Sequence, residues 1–462
     1  MKRRDFLWLS TATAVSASPL FAQTIDASVT LQIGGPTGIT MPENFTGLSY
    51  ESAQLAHPEF FSPQNAGLAA IFTRLNKRGV LRLGGNTSEF TKWSETDVSG
   101  ETTLPAAVNP DTGQREKSSA VITPHAIRNL RGYLDATGWD CIYGLNLGHG
   151  TPEQAAQEAK FVAATLGPKL IALQIGNEPN LYGKHFRPAG YSFADYIAEW
   201  KTFAAAVRKA VPGAKFAGPD VAGQSEWIVE FAKQHSPDTV MLTGHYYAEG
   251  PPTDPRMNID YLLHPTPQLM HDIPLVMQAA REAKLPYRMA EGNSCYWGGK
   301  PGVSDAFASA LWSGDYLLQV AQAGYSGVNF HGGGNGVYTP IAGDAVTGFT
   351  ARPVFYGMQL ATEFEGATFL ETKMKTDGAN VTAYAAEQHG SLLIAFFNKD
   401  SSSVSLSVGR HGLVAVGTPS RTRLLTAPAI DSKQGVQFTE GHLDAKKAFR
   451  VPAYTGVLLM FD

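Results

Sequence analysis

Apolar residues along this chain keep two rhythms, and the change between them falls near Met358. Before it, short apolar runs alternate with stretches whose apolar residues recur at helical spacing. The runs predict strands at 45–50, 80–83, 141–147, 170–175, 215–218, 239–245, 286–291 and 327–330. Between them, Thr151 reads as a helix N-cap with Pro152 at the first helical position, where its missing N–H costs nothing. Ala155, Ala159, Val162, Ala163 and Leu166 would form the apolar face of that helix. Ser192 opens another, with Tyr196, Trp200, Phe203 and Val207 on one stripe. Helical patterns also precede Pro212 and fill 267–284. Eight strand–helix repeats predict an α/β fold, a parallel (β/α)8 TIM barrel. A doubly wound open sheet competes, but no Gly-x-Gly-x-x-Gly follows the first strand.

After Met358, short alternating segments appear at 381–385, 392–397, 404–408, 423–425, 436–439 and 455–461, with turn signals at Asp377-Gly378 and His389-Gly390. They predict a C-terminal antiparallel β-sandwich domain. Residues 27–33 alternate like a half-exposed strand and precede the barrel, so they are expected in that second sheet. The expected division is a barrel over 37–357 and a sandwich built from 23–36 and 358–462.

Two domains also suit 462 residues, more than one ordinary core supports. With 43% hydrophobic and 17% charged residues, a disordered chain is excluded. Met1-Lys2-Arg3-Arg4-Asp5-Phe6-Leu7 and the weakly apolar segment after it match a twin-arginine export signal over 1–22, which implies a periplasmic or secreted protein. Cleavage after Ala22 would remove Lys2, Arg3, Arg4 and Asp5, a net +2, and take the charge from −4 to −6. Neither nucleic acid nor an anionic membrane is then an expected partner. Cys141 and Cys295 fall on different, non-adjacent strands and are expected as free buried thiols.

Chemistry concentrates at two strand ends. Glu178, in Gly176-Asn177-Glu178-Pro179-Asn180, follows the run 170–175, and Glu291 closes the run 285–290. In a barrel, functional groups sit at the C-terminal ends of strands, so these acids can face each other across its mouth. Such a pair suits glycoside cleavage: one carboxyl group protonates the leaving oxygen and the other attacks the sugar. His245 and Tyr247 share side-chain parity on the sixth strand, so both are expected to point into the site, with Tyr247 donating to Glu291. His149, His245 and His331 at strand ends raise a metal-dependent hydrolase, but the chain has no His-x-His, and neither a metal nor a cofactor is expected.

These stretches, together with Arg82-Leu83-Gly84-Gly85-Asn86, Ala290-Glu291-Gly292-Asn293-Ser294 and the loop 331–338, resemble glycoside hydrolase family 79, the β-glucuronidases and heparanases, within the clan of retaining barrel glycosidases. The resemblance spans nearly the whole mature chain. It implies that Glu178 is the acid/base, Glu291 the nucleophile and Asn177 the contact to the sugar 2-hydroxyl. It also implies substrate-binding roles for Asn86, Tyr296, Gly336 and Tyr338, with the tyrosine hydroxyls and backbone N–H groups of the glycine-rich loop holding the C5 carboxylate.

The activity it implies is that of a retaining exo-β-glucuronidase acting on terminal β-D-glucuronic acid of an oligosaccharide or glycoconjugate. A heparanase-like preference for sulfated chains is disfavoured, because the mature chain, at a net −6, has no basic run. The alternatives are a neutral-sugar β-glycosidase (a xylosidase or glucosidase) of the same clan and a non-catalytic carbohydrate-binding protein. The long stretches 86–119, 182–188 and 250–265 are expected to wall the substrate groove.

Overall fold

A computed structural model describes residues 27–97, 107–108, 115–116, 120–234, 236–332, 336–410, 417–441 and 448–462. The expected export signal and the glycines Gly333 and Gly334 lie outside the described residues, as does most of 98–119.

Eight parallel strands close into a barrel: Thr46–Glu51, Val80–Gly84, Asp140–Leu145, Leu170–Ile175, Phe216–Ala222, Thr239–Glu249, Tyr287–Cys295 and Gly327–Gly332. The eighth returns to the first, with Phe330 opposite Leu48. All eight expected strands are present. The fifth, sixth and seventh run several residues past their expected ends, because Asp220, Tyr247 and Asn293 interrupt the apolar signal while the backbone stays paired.

The helices form where their caps place them. Thr151 and Gln154 make a reciprocal capping box with Pro152 in the first turn, opening Pro152–Leu166, and Ser192 with Asp195 does the same for Phe193–Ala210. Ala155, Ala159, Val162 and Leu166 are buried as the stripe requires, while Ala163 is only half-buried. Tyr196, Trp200, Phe203 and Val207 all pack inward.

The barrel interior is polar as well as apolar. Arg82, Gln174, Asp220, Thr243, Arg288 and Asn329 are all essentially inaccessible. At the end away from the site, Arg288 donates to Asn329 Oδ1 over 2.6 Å and to the carbonyls of Asn44, Phe45 and Ser326. Burial pushes its guanidinium down to about 9.

The second sheet has nine strands. The first described strand, Ala27–Thr40, lies within it, antiparallel to Thr368–Lys375 on one side and parallel to Val404–Arg410 on the other. The sheet is thus mostly rather than wholly antiparallel, since one strand arrives from the far end of the chain. Thr368–Lys375 itself was not anticipated: past Leu370 it alternates charged or polar residues at the surface, so little apolar signal marks it. Short hydrogen bonds tie the sheet to the barrel, with Gly366 N–H donating to Met41 O over 2.7 Å. Asp315, on the helix Phe307–Gln322, accepts from Thr382 and Tyr384 of the sheet and from Lys399 just past the strand Ser391–Asn398. Cys141 and Cys295 are free and buried. Among the described residues, no helix is long and apolar enough to cross a membrane.

Candidate active site

The C-terminal mouth of the barrel opens into a cavity of about 420 Å³, a size that suits a small ligand. Glu178 and Glu291 both line it. One oxygen of each lies within 4.8 Å of the other. Glu178 sits just beyond the fourth strand in the left-handed region, at φ 48° and ψ 50°. A bulky residue there costs on the order of 1–3 kcal/mol, so its surroundings must hold it. They do: Gly176, at φ 85°, makes the turn, Pro179 follows, and the Glu178 N–H donates to Asp220 O over 2.9 Å.

Glu291 is enclosed by donors. Tyr247 OH donates to Oε1 over 2.8 Å and Arg82 Nη1 to Oε2 over 2.6 Å, while His331 Nδ1 lies 3.6 Å from Oε2. Burial alone would push this carboxyl up. The charges of His331, His245 and Arg82, with the tyrosine bond, more than offset that and hold it well below the usual carboxylate range. The Tyr247 hydroxyl is held far above its ordinary value by burial and by the neighbouring Glu291, so it remains a donor.

Arg82 is the residue around which the floor is built. Besides Glu291 it donates to Asn177 Oδ1 at 2.8 Å, Gln174 Oε1 at 3.1 Å, Ser49 Oγ at 3.2 Å and to Asp220 Oδ2. Gly84 makes room for it, because a Cβ there would lie 2.2 Å from the guanidinium carbon. Asp220 is held below its ordinary value: burial opposes this, and Arg82 and His245 outweigh burial.

His245 departs from expectation. Its side chain is wholly buried and does not line the cavity. Nδ1 lies 2.9 Å from Glu178 Oε1 and Nε2 lies 3.1 Å from Asp220 Oδ1. Parity aimed it inward correctly, but it stands one layer deeper than Tyr247, behind the carboxylates. Asn177 is also buried beneath the surface, with Nδ2 donating to Asn86 Oδ1 over 3.3 Å, and Asn86 is the one that lines the cavity.

The three tyrosines come together. Tyr247 stacks on Tyr338 with ring centres 6.3 Å apart and meets Tyr296 edge-on at the same distance. Asn293 fixes the loop beneath them by donating to the carbonyls of His331 and Tyr338. Gly336 does not line the cavity; its carbonyl accepts from Arg352 Nη1 over 2.8 Å, and a Cβ on it would lie 2.4 Å from the Tyr338 ring.

Several site residues escaped the sequence reading. Glu51 lines the cavity, pairs with His331 Nε2 at 3.3 Å and accepts from Thr87 N–H and Oγ1. Glu89 lies behind Asn177, accepting its N–H over 2.6 Å, along with the N–H groups of Leu147 and Gly148. Glu178, His245 and Glu291 also offer three ligand atoms within 4.8 Å of one another. They fit a cation poorly, since Arg82 already places one on Glu291 and both His245 nitrogens face carboxylates.

Solved glycoside hydrolases share this fold, a parallel barrel joined to a mostly antiparallel sheet. A crystal structure of a 4-O-α-L-rhamnosyl-β-D-glucuronidase from Fusarium oxysporum 12S, in complex with Rha-GlcA, aligns over 94% of this chain and 100% of that one, with TM-score 0.74 and 19% identity. A GH51 arabinofuranosidase from Xanthomonas axonopodis pv. citri aligns over 95% and 100%, with TM-score 0.68 and 16% identity. By sequence, a β-glucuronidase of Aspergillus niger is 25% identical over 346 residues, 68% of this chain and 62% of that protein. A β-glucuronidase of Neurospora crassa is 25% identical over 316 residues, 61% of this chain and 55% of that protein. The matched region thus spans less than two thirds of either relative. No family model matches the chain.

Proposed function

We propose that this chain hydrolyses β-D-glucuronides, releasing terminal glucuronic acid with retention of configuration. The observation that carries the reading is the approach of the Glu178 and Glu291 carboxylates to within 4.8 Å in a tyrosine-lined cavity. Retaining enzymes keep the two groups about 5–5.5 Å apart, inverting ones about 6.5–9.5 Å. The similarity to two proteins named β-glucuronidase supports the choice of sugar.

In this mechanism Glu291 attacks C1 while Glu178 gives its proton to the departing oxygen. Water, deprotonated by Glu178, then releases the sugar from Glu291. Glu51 and Asn86 face the sugar hydroxyls, and Tyr296 and Tyr338 face the C5 carboxylate. Export through the twin-arginine route would place the reaction outside the cytoplasm. Fractionating cells with and without that translocase tests this placement, and a cytoplasmic protein in both would discard it.

A neutral-sugar glycosidase is the second reading. It is favoured by the scarcity of cations: among the described residues lining the cavity, Lys184 is the sole Lys or Arg, and it lies just past Glu178 in the chain, on the exposed end of the Tyr182–His185 turn. Initial rates on matched aryl β-D-glucuronide, glucoside and xyloside decide between them. Preference for the glucuronide supports the proposal; preference for a neutral sugar keeps the two-glutamate chemistry and discards the substrate.

A further inference from the structure

Glu178 begins the first step neutral and ends it charged, so whatever touches it decides how readily it gives up its proton. Its Oε1 lies against a buried imidazole. It faces His245 Nδ1 at 2.9 Å, and the opposite nitrogen of the same ring faces Asp220 Oδ1 at 3.1 Å. The ring is wholly enclosed, so it acts through Glu178 and not on a sugar. With both nitrogens against carboxylates, the doubly protonated imidazolium satisfies both of those contacts.

We propose that Asp220 and His245 form a positioning pair behind the acid/base: His245 pins Oε1, leaves the second oxygen of Glu178 for the leaving group, and stabilises the carboxylate as the proton departs. The proposal deepens the glycosidase reading and rests on it. In the step concerned, the Glu178 O–H bond and the C1–O bond break, the proton passes to the departing oxygen, and Glu291 bonds to C1. His245 exchanges no proton; its charge is worth more at the transition state than before it, which is what accelerates a step.

The groups facing the ring are Glu178, Asp220, Glu291 at 3.9 Å and Arg82 Nη2 at 3.5 Å. Burial would lower its pKa, but the charges of Asp220 and Glu291 and the hydrogen bonds to Asp220 and Glu178 outweigh burial and raise it to about 10, so the ring is charged at neutral pH.

The test is the dependence of rate on the leaving group. In His245→Gln, which keeps a donor but not the charge, kcat on phenyl glucuronide should fall at least tenfold more than on 2,4-dinitrophenyl glucuronide, whose phenolate needs no proton. Asp220→Asn should give the same pattern more weakly. If it fails to fold for want of the Arg82 pair, His245→Gln decides alone. Equal losses on both substrates would overturn the proposal and reduce the pair to scaffolding. Wild-type protein inert on every aryl glycoside would instead remove the glycosidase reading, and this one with it.

Discussion

Arg82 Nη1 donates to Glu291 Oε2 over 2.6 Å, linking the second barrel strand to the seventh beneath the cavity. The same guanidinium neutralises Asp220, so one buried cation serves two buried anions. Arg82→Met should therefore cost about 3–5 kcal/mol, because it strands two charges rather than removing one contact. Urea unfolding measures this, and a midpoint close to wild type would contradict it.

Glu291→Gln removes the oxygen proposed to attack C1 while keeping nearly the same side-chain shape. Turnover on an aryl glucuronide should drop by roughly 10⁴-fold or more, while the melting temperature stays near or above that of the wild type. Retained turnover would dismiss Glu291 as nucleophile. Retained sugar binding without wild-type turnover would identify a binding protein.

The acidic limb of kcat/KM should respond to His331. A carboxyl held below its ordinary value stays ionised as the pH falls, so the limb set by Glu291 should lie low. His331→Gln removes the cation that offsets burial most, raises the Glu291 pKa and moves the limb to higher pH. A limb that stays in place would show that His331 does not set the ionisation of Glu291.

Tyr338→Phe should lower kcat/KM for a glucuronide by about tenfold, the worth of one hydrogen bond to a charged group, and affect a glucoside much less. Gly336→Ala should act in the same direction, since its Cβ would lie 2.4 Å from the ring and displace it. Equal losses on both sugars would remove the carboxylate role from this loop.

Stability should fall from pH 5.5 to 8.5. Burial raises the Glu158 and Glu365 carboxyls to about 7 and 8 in the folded protein, and His245 stands at about 10. Each has a folded pKa above its unfolded one. Their stabilisation is complete below the unfolded values and is lost as the pH rises through the folded ones. Melting temperatures across that range test this; a rising series would contradict it.

The barrel was legible because strands buried on both faces read as apolar runs, and the two acids were legible because they end such runs. The polar floor was not. Arg82 reads as a single interruption in Val80-Leu81-Arg82-Leu83, and Gln174 and Asp220 interrupt their strands in the same way. A signal was present: a charged residue inside a strand buried on both faces must find a partner, and Arg82 with Asp220 are two such residues of opposite sign. Period-two parity told which side His245 faces but not how deep it sits, since depth depends on strand stagger, which no single strand encodes.

The strand Ala27–Thr40 holds a place between Thr368–Lys375 and Val404–Arg410 that nothing else fills. During synthesis it emerges before the barrel, yet both its neighbours are made after the barrel is complete. Until they arrive, its two edges and the apolar side chains of Val29, Leu31 and Ile33 lack the partners that bury them in the folded protein. A polypeptide cut anywhere between the two halves of that sheet would leave each piece holding an unfinished edge, so strands made after the barrel close what a strand made before it opened.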